Sequence, residues 1–320
     1  MHRIAPGGNV FKSEIQFSAC RNHDLLCSIT AMKNDNRMPD RIDAVVADID
    51  FTLTVKNGPL PKETKEAFEI LHAHGVRIGL GTGRQLTDQV LQSGRNWGLS
   101  FELDFFVGMN GGMVRDCQTG YAYQMDLMNE KDMTDILSAL MPVIMERKIA
   151  VNAEGGGNEF CMNFELYAAD FAKRHGSPLI DCSGDIQTFT SKPCFKMLFR
   201  SKNRNDSEAL RQRFLQSFPE HWQIVESFPG TLEVMQAGIT KGSGLRKYAK
   251  EAGIPMEHII AFGDNENDIP MLKEAGWGVC LANGSEPAKK AADAITEYDC
   301  QSGGAGRYLM DHYIHEKGWM

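Results

Sequence analysis

Eight cysteines are spread from Cys20 to Cys300 with no C-x-x-C pair and no His/Cys cluster at zinc-ligand spacing, which argues against a structural metal finger. A chain of 320 residues has no need of disulfides, so these cysteines are read as small buried apolar residues. No apolar run approaches the ~20 residues of a membrane helix. Basic residues are scattered and the formal net charge is −8, so there is no electrostatic footprint for nucleic acid or an anionic membrane surface. Any anion must therefore be held locally. The opening "MHRIAPGGNVF" lacks a charged n-region followed by an apolar h-region, and the reading is a cytoplasmic protein. Internal repeats and low-complexity tracts are also missing.

Three familiar glycine- or acid-rich signatures fail as well. "GTGR" lacks the G-x-x-x-x-G-K pattern of a nucleotide triphosphatase, and Gly155–Gly157 lack the strand and helix context of a phosphate loop. "GDNENDIPML" lacks the spacing and closing glutamate of an EF-hand.

What remains is a rhythm. The run "IDAVVADID" is a continuous apolar strand, as in a parallel sheet covered on both faces. It is followed by "KETKEAFEILHAHG" with Ala67, Phe68 and Leu71 at helical spacing, by the strand "VRIGLGTGR", by a polar helix from Leu86 to Trp97, and by the strand "FFVGMNGG". The same alternation returns late, with a helix over Gly244–Ala252, the strand "HIIAFGD", a short helix over Ile269–Ala275 and the strand "WGVCLAN". The stretch between differs: it holds the strand "CFKMLFR", a helix over Asp206–Ser217 and "QIVESFPGTLEVM". The expected class is α/β, a Rossmann-like parallel-sheet core over 41–113 and 236–320 with an inserted α+β cap domain over 114–235. Met125, Met128, Met133, Met141 and Met145 are expected to fill the cap's core. Residues 1–40 read as an extension, either mobile or produced by a start codon placed upstream of the genuine one, since Met32 and Met38 lie just before the first strand.

In open parallel sheets the site forms at the carboxyl ends of the strands. Those ends carry Asp48, Asp50 and Thr52, then Thr82 and Arg84, then Asn110, and finally Asp264, Asn265, Asn267 and Asp268, while Lys241 opens the helix that returns to the core. Asp48, Asp50 and Asp264 together are strongly repulsive in a partly buried pocket unless a cation or protons neutralise them. All-oxygen ligands favour a hard divalent ion, and Mg²⁺ binds through one or two carboxylates plus substrate phosphate. A lysine and a threonine hydroxyl beside it make a cradle for a phosphoryl group. The inventory points to phosphoryl transfer. One carboxylate would attack phosphorus while the other handles the proton. Taken alone, Asp48 and Asp50 are also compatible with a turn-capping pair, and "NGG" with a turn.

Four motifs together resemble those of the haloacid dehalogenase superfamily, in particular its Cof-like sugar-phosphate phosphatases. They are "DIDFTLT", "LGTGR", "ITKGSGL" and "GDNENDIPML", in that order, with "GMNGG" between. The resemblance implies Asp48 as nucleophile and metal ligand, and Asp50 as acid/base with its backbone carbonyl on the metal. It implies Asp264 as the third ligand of Mg²⁺, with Thr82, Gly83 and Lys241 on the phosphoryl oxygens. Asn267 and Asp268 would position Lys241 or a metal-bound water, with Arg84 and Asn110 as further substrate contacts. Phe51 stands where this family often has glycine. The expected partner is a small phosphorylated metabolite, most plausibly a sugar phosphate, and neither nucleic acid nor membrane. A phosphomutase or phosphotransferase of the same superfamily, or a phospho-accepting binding protein on this scaffold, is the alternative. Glu165, Tyr167, Lys192 and Lys196 are candidates for the cap surface that faces the substrate; oligomeric state leaves no mark in these patterns.

Overall fold

A computed structural model describes residues 37–56, 58–154, 159–163, 179–182, 185–218 and 220–320. The expected extension thus lies almost wholly outside the described residues, as do Glu165 and Tyr167. The chain separates at Arg37/Met38, and everything below concerns the unit Met38–Met320.

Strand β1 (Ala44–Ala47) has no polar side chain, and all four of its residues are fully buried. Helix α1 (Lys62–Ala73) buries Ala67, Phe68 and Leu71, and beyond it Gly75 takes φ 83°, the left-handed turn that lets the chain reverse. There follow β2 (Arg77–Gly81), β3 (Phe105–Gly108), β4 (Met113–Asp116) and β5 (Ala122–Gln124). Next come α2 (Glu130–Arg147), β6 (Ala150–Glu154), β7 (Glu159–Met162), β8 (Leu179–Asp181), β9 (Lys196–Arg200), α3 (Arg204–Ser217), β10 (Trp222–Phe228) and β11 (Thr231–Gln236). The return carries α4 (Lys241–Ala252), β12 (Ile259–Gly263), α5 (Ile269–Glu274), β13 (Trp277–Cys280) and β14 (Ala294–Ile295).

Eight strands form the first sheet in the order β14-β13-β12-β1-β2-β3-β4-β5. From β14 to β3 the pairing is parallel, and β4 and β5 add antiparallel at the edge. β1 is flanked by β2, which follows it, and by β12, which returns from the far end of the chain. The crevice outside such a central strand is where ligands of open α/β sheets bind. Because β4 pairs with β3 and β5 pairs with β4, residues 113–124 belong to this sheet, although the sequence pattern places the insertion's start at 114.

The second sheet has the order β10-β11-β9-β6-β7-β8, antiparallel except for β7 and β8. One face buries Val151, Met197, Phe199 and Val234 against Ile136, Leu137 and Leu140 of α2 and Phe214 of α3. Met128 and Met133 join this cluster, but Met125 packs instead with Met109 and Phe195, and Met145 is 60% exposed. Core filling therefore fails at Met145, which faces water on the outer side of α2. The helix expected over Leu86–Trp97 is two single turns, Asp88–Leu91 and Ser93–Asn96, broken at Gln92 (φ −93°, ψ 12°). Helix α4 starts three residues earlier than expected, because Thr240 and Ser243 form a reciprocal cap around its first turn.

That start matters for Lys241. Gly111 has φ 100°, and a Cβ there would lie 2.0 Å from the Thr240 carbonyl oxygen. Only a glycine lets the turn after β3 touch the first turn of α4, which sets Lys241 at the end of the sheet. Among the described residues no helix is long and apolar enough to cross a membrane.

Candidate active site

Lys241 is completely buried and spans two carboxylates: its Nζ donates to Asp48 Oδ1 at 2.7 Å and to Asp268 Oδ1 at 2.6 Å. Asp48 follows β1 directly, its backbone N–H bonded to Phe262 of β12 at 3.1 Å. Asp268 closes a single helical turn after β12, and its other oxygen accepts the backbone N–H groups of Asp264 and Asn265, each at 2.9 Å. The acidic loop is thus both a turn cap and a partner of Lys241. Burial works against the charge on Lys241, but Asp268 and Asp48 outweigh it and hold its pKa above the usual lysine range.

Oxygens of Asp48, Asp264 and Asp268 lie within 4.8 Å of one another. Burial, then Asp268 and Asp50 nearby, raise Asp48 to about 7 in spite of Lys241. Burial, Asp268 and Asp48 raise Asp264 to about 8, against a 2.7 Å hydrogen bond from the Thr52 hydroxyl. Protons are held because three carboxylates face one ammonium, and a divalent cation would relieve the same excess of negative charge. Both oxygens of Asp268 are engaged, so the donors that suit a hard cation are Asp48 and Asp264, and the residues present fit one. The side chain of Asp50 stands apart from this cluster. Arg84 grips it through both oxygens, with Nε–Oδ2 2.9 Å and Nη2–Oδ1 2.5 Å.

Thr82 is buried at the end of β2, its hydroxyl accepting the Arg84 N–H at 3.1 Å and its carbonyl accepting the Asn110 N–H at 3.1 Å. Asn110 takes a left-handed conformation (φ 52°, ψ 33°). Its side chain accepts from Asn267 Nδ2 at 3.1 Å and donates to Glu233 Oε2 at 2.6 Å. Asn110 and Asn267, expected separately, are therefore neighbours.

Two of these contacts come from the second sheet. Lys196 reaches from β9 to the Gly83 carbonyl (2.8 Å) and to Glu233 Oε1 (3.0 Å). Burial opposes the charge on Glu233, yet Lys196 beside it holds the carboxyl below the usual range. Glu233 escapes sequence reasoning, since a single acid inside "TLEVM" has no local signature; the buried strand pattern around it was the available signal. Lys192 is exposed. Phe51 occupies φ 65°, the region that favours glycine, and its ring packs edge-on against Phe228 at the tip of β10 (centroids 6.0 Å apart). It packs beneath the second sheet.

A family model described as haloacid dehalogenase-like hydrolase matches residues 45–309. A protein of Streptococcus pyogenes serotype M6 named for an inferred phosphatase activity is 30% identical over 269 residues, covering 82% of this chain and 95% of that one. YxeH of Bacillus subtilis, named in the same way, is 27% identical over 284 residues, 85% and 97% of the two chains. Among solved structures, a subclass IIB sugar phosphatase of the superfamily, BT4131, superposes with a TM-score of 0.68 at 22% identity, covering 87% of this chain and all of that one. At that identity the likeness speaks for the fold.

Proposed function

The chain belongs to the haloacid dehalogenase-like hydrolase family, as a phosphatase of it, and from that premise we propose a Mg²⁺-dependent phosphomonoester hydrolase that works through an aspartyl phosphate and acts on a small phosphorylated metabolite, most plausibly a sugar phosphate. The observation that carries the reading is the buried Lys241 ammonium between Asp48 and Asp268, with Asp264 beside them. A buried charge trio of this composition at strand ends is costly as scaffolding and useful for binding a phosphoryl dianion.

Asp48 attacks phosphorus in line, forming a P–O bond to its carboxylate as the ester P–O bond breaks, and Asp50 gives its proton to the departing oxygen. Asp50 then takes a proton from water, whose oxygen displaces the Asp48 carboxylate and releases phosphate. Lys241 and Thr82 hold the phosphoryl oxygens, and Gly83 and Asn110 shape the turn around them. Asp48, Asp264 and the Asp50 carbonyl would hold Mg²⁺, which would neutralise charge on the phosphoryl group. The second sheet, acting as a cap, excludes bulk water from the intermediate.

The test is phosphate release from sugar phosphates and p-nitrophenyl phosphate with Mg²⁺ or with EDTA, using Asp48→Asn as control. Metal-dependent release that the variant abolishes is the expected result. Release that persists in Asp48→Asn removes the aspartyl phosphate from the reading.

A further inference from the structure

The face of the second sheet away from α2 and α3 carries Lys196 from β9 and Glu233 from β11. Leu198 pairs with Glu233, so Lys196, two residues back along β9, is its diagonal neighbour on the same face. Ser227 sits at the bulge in β10 and lies against the Glu233 carboxylate. An antiparallel sheet with one apolar face usually gives its other face to water. Here Lys196, Glu233 and Ser227 are only 2%, 3% and 8% exposed.

Their partners lie in the first domain's machinery. Lys196 donates to the Gly83 carbonyl beside Thr82, and Glu233 accepts from Asn110, which is bonded in turn to Asn267, next to Asp268. The Ser227 carbonyl accepts from Asn265 Nδ2 at 2.8 Å. The polar trio therefore adjoins the phosphoryl cradle. It is also incompletely used: the Ser227 hydroxyl lies against the Glu233 carboxylate without a well-formed hydrogen bond. Each Glu233 oxygen accepts one of the bonds above and can accept a second. A buried hydroxyl without a well-formed hydrogen bond is unfavourable, so a polar group that completes it is favoured.

We infer that Glu233, oriented by Lys196 and Asn110 and flanked by the Ser227 hydroxyl, reads the leaving group of the ester by hydrogen bonds to hydroxyls on it. The protein then selects phosphomonoesters of sugars and polyols over those of plain alcohols. The inference rests on the phosphatase reading above and adds the residues that choose the substrate. Glu233 carries the discrimination because a carboxylate fixed by an ammonium and an amide cannot swing away from a substrate lacking a donor, and a site built for such a bond rejects the analogue without it.

The experiment measures kcat/KM for glucose 6-phosphate, ribose 5-phosphate, sorbitol 6-phosphate, butyl phosphate and p-nitrophenyl phosphate in wild type, Ser227→Ala and Glu233→Gln. Wild type should prefer its best hydroxylated ester to butyl phosphate by about 10²-fold or more. Glu233→Gln should cut that ratio by about 10-fold or more, and Ser227→Ala by a few-fold, on the order of one lost hydrogen bond. Ser227→Ala removes a hydroxyl that lacks a well-formed hydrogen bond, so its thermal midpoint should lie at or above the wild-type value and the test survives if Glu233→Gln folds poorly. Equal losses on every ester in both variants, or a wild type indifferent to hydroxyls, overturn the inference and leave the phosphatase intact. A wild type that releases phosphate from none of the five overturns the phosphatase reading, and the inference with it.

Discussion

Arg84 holds Asp50 by both carboxylate oxygens, at 2.9 and 2.5 Å. A doubly gripped carboxylate is well aimed but has to loosen from the guanidinium to carry a proton to the leaving oxygen. Arg84→Lys replaces a planar fork with a point charge, and Arg84→Ala removes the grip. Both should lower kcat on alkyl phosphates, by about 10-fold and about 10²-fold respectively, within the range of acid/base contributions. Steady-state kinetics should show smaller losses with p-nitrophenyl phosphate, whose leaving group needs less proton assistance. Equal losses on the two ester types would place Arg84 on the phosphoryl group instead.

Asp50→Asn leaves the nucleophile in place and removes the base that activates water. With p-nitrophenyl phosphate, rapid mixing should show a burst of nitrophenolate close to one equivalent, then turnover reduced by about 10²–10⁴-fold. Turnover at the wild-type rate would take Asp50 out of the mechanism.

Burial first, and neighbouring carboxylates next, raise Asp48 to about 7 and Asp264 to about 8. Both folded values exceed the unfolded value of 3.8, so the folded state holds more protons than the unfolded chain between pH ~4 and ~8. Stability without metal is therefore greatest at the acid end of this window and falls as pH rises through 7 and 8. The thermal midpoint in EDTA should drop across that window. Mg²⁺ should raise it more at pH 8 than at pH 5, since at pH 5 it must displace protons. A midpoint in EDTA that is flat from pH 5 to 8 would contradict this.

Phe51 stores backbone strain of about 1–2 kcal/mol at φ 65°, offset by its contact with Phe228, worth about 0.5–1.5 kcal/mol. Phe51→Gly loses the contact and releases the strain, whereas Phe51→Ala loses the contact and keeps it. Urea titration should rank glycine above alanine at this position by about 1 kcal/mol or more, with Phe51→Gly within about 1 kcal/mol of wild type. Alanine equal to glycine would mean that the turn relaxes.

Gly111→Ala drives a methyl into the Thr240 carbonyl and strains a residue at φ 100°. A loss of about 2–4 kcal/mol is expected in urea, from strain and overpacking together. Because Thr240 caps the helix that presents Lys241, kcat should fall as well. Loss of stability with full activity would show that Lys241 does not depend on this contact.

The motif residues were legible because each motif is local: an apolar strand stops, and polar groups follow within a few residues. Asp48, Thr82, Lys241, Asp264 and Asp268 all stand where those stops place them. The broken helix at Gln92 and the exposed Met145 were not legible, since a helical spacing does not reveal which turn the neighbouring elements will cover. Residues 114–124 read as insertion, since a short strand's sequence does not say which sheet it joins, and only the pairing of β4 with β3 and of β5 with β4 assigns them to the first sheet.

By itself the sequence determined a parallel α/β sheet, its strand ends, and a set of carboxylates with one lysine that have phosphoryl chemistry in common. Tertiary structure alone decided which carboxylate pairs with which cation: Asp268 and Asp48 with Lys241, Asp50 with Arg84, Glu233 with Lys196. Apolar periodicity is a property of neighbours in the chain. Charge pairing belongs to neighbours in space, and Glu233 meets Asn110 only after two sheets have folded and closed on each other.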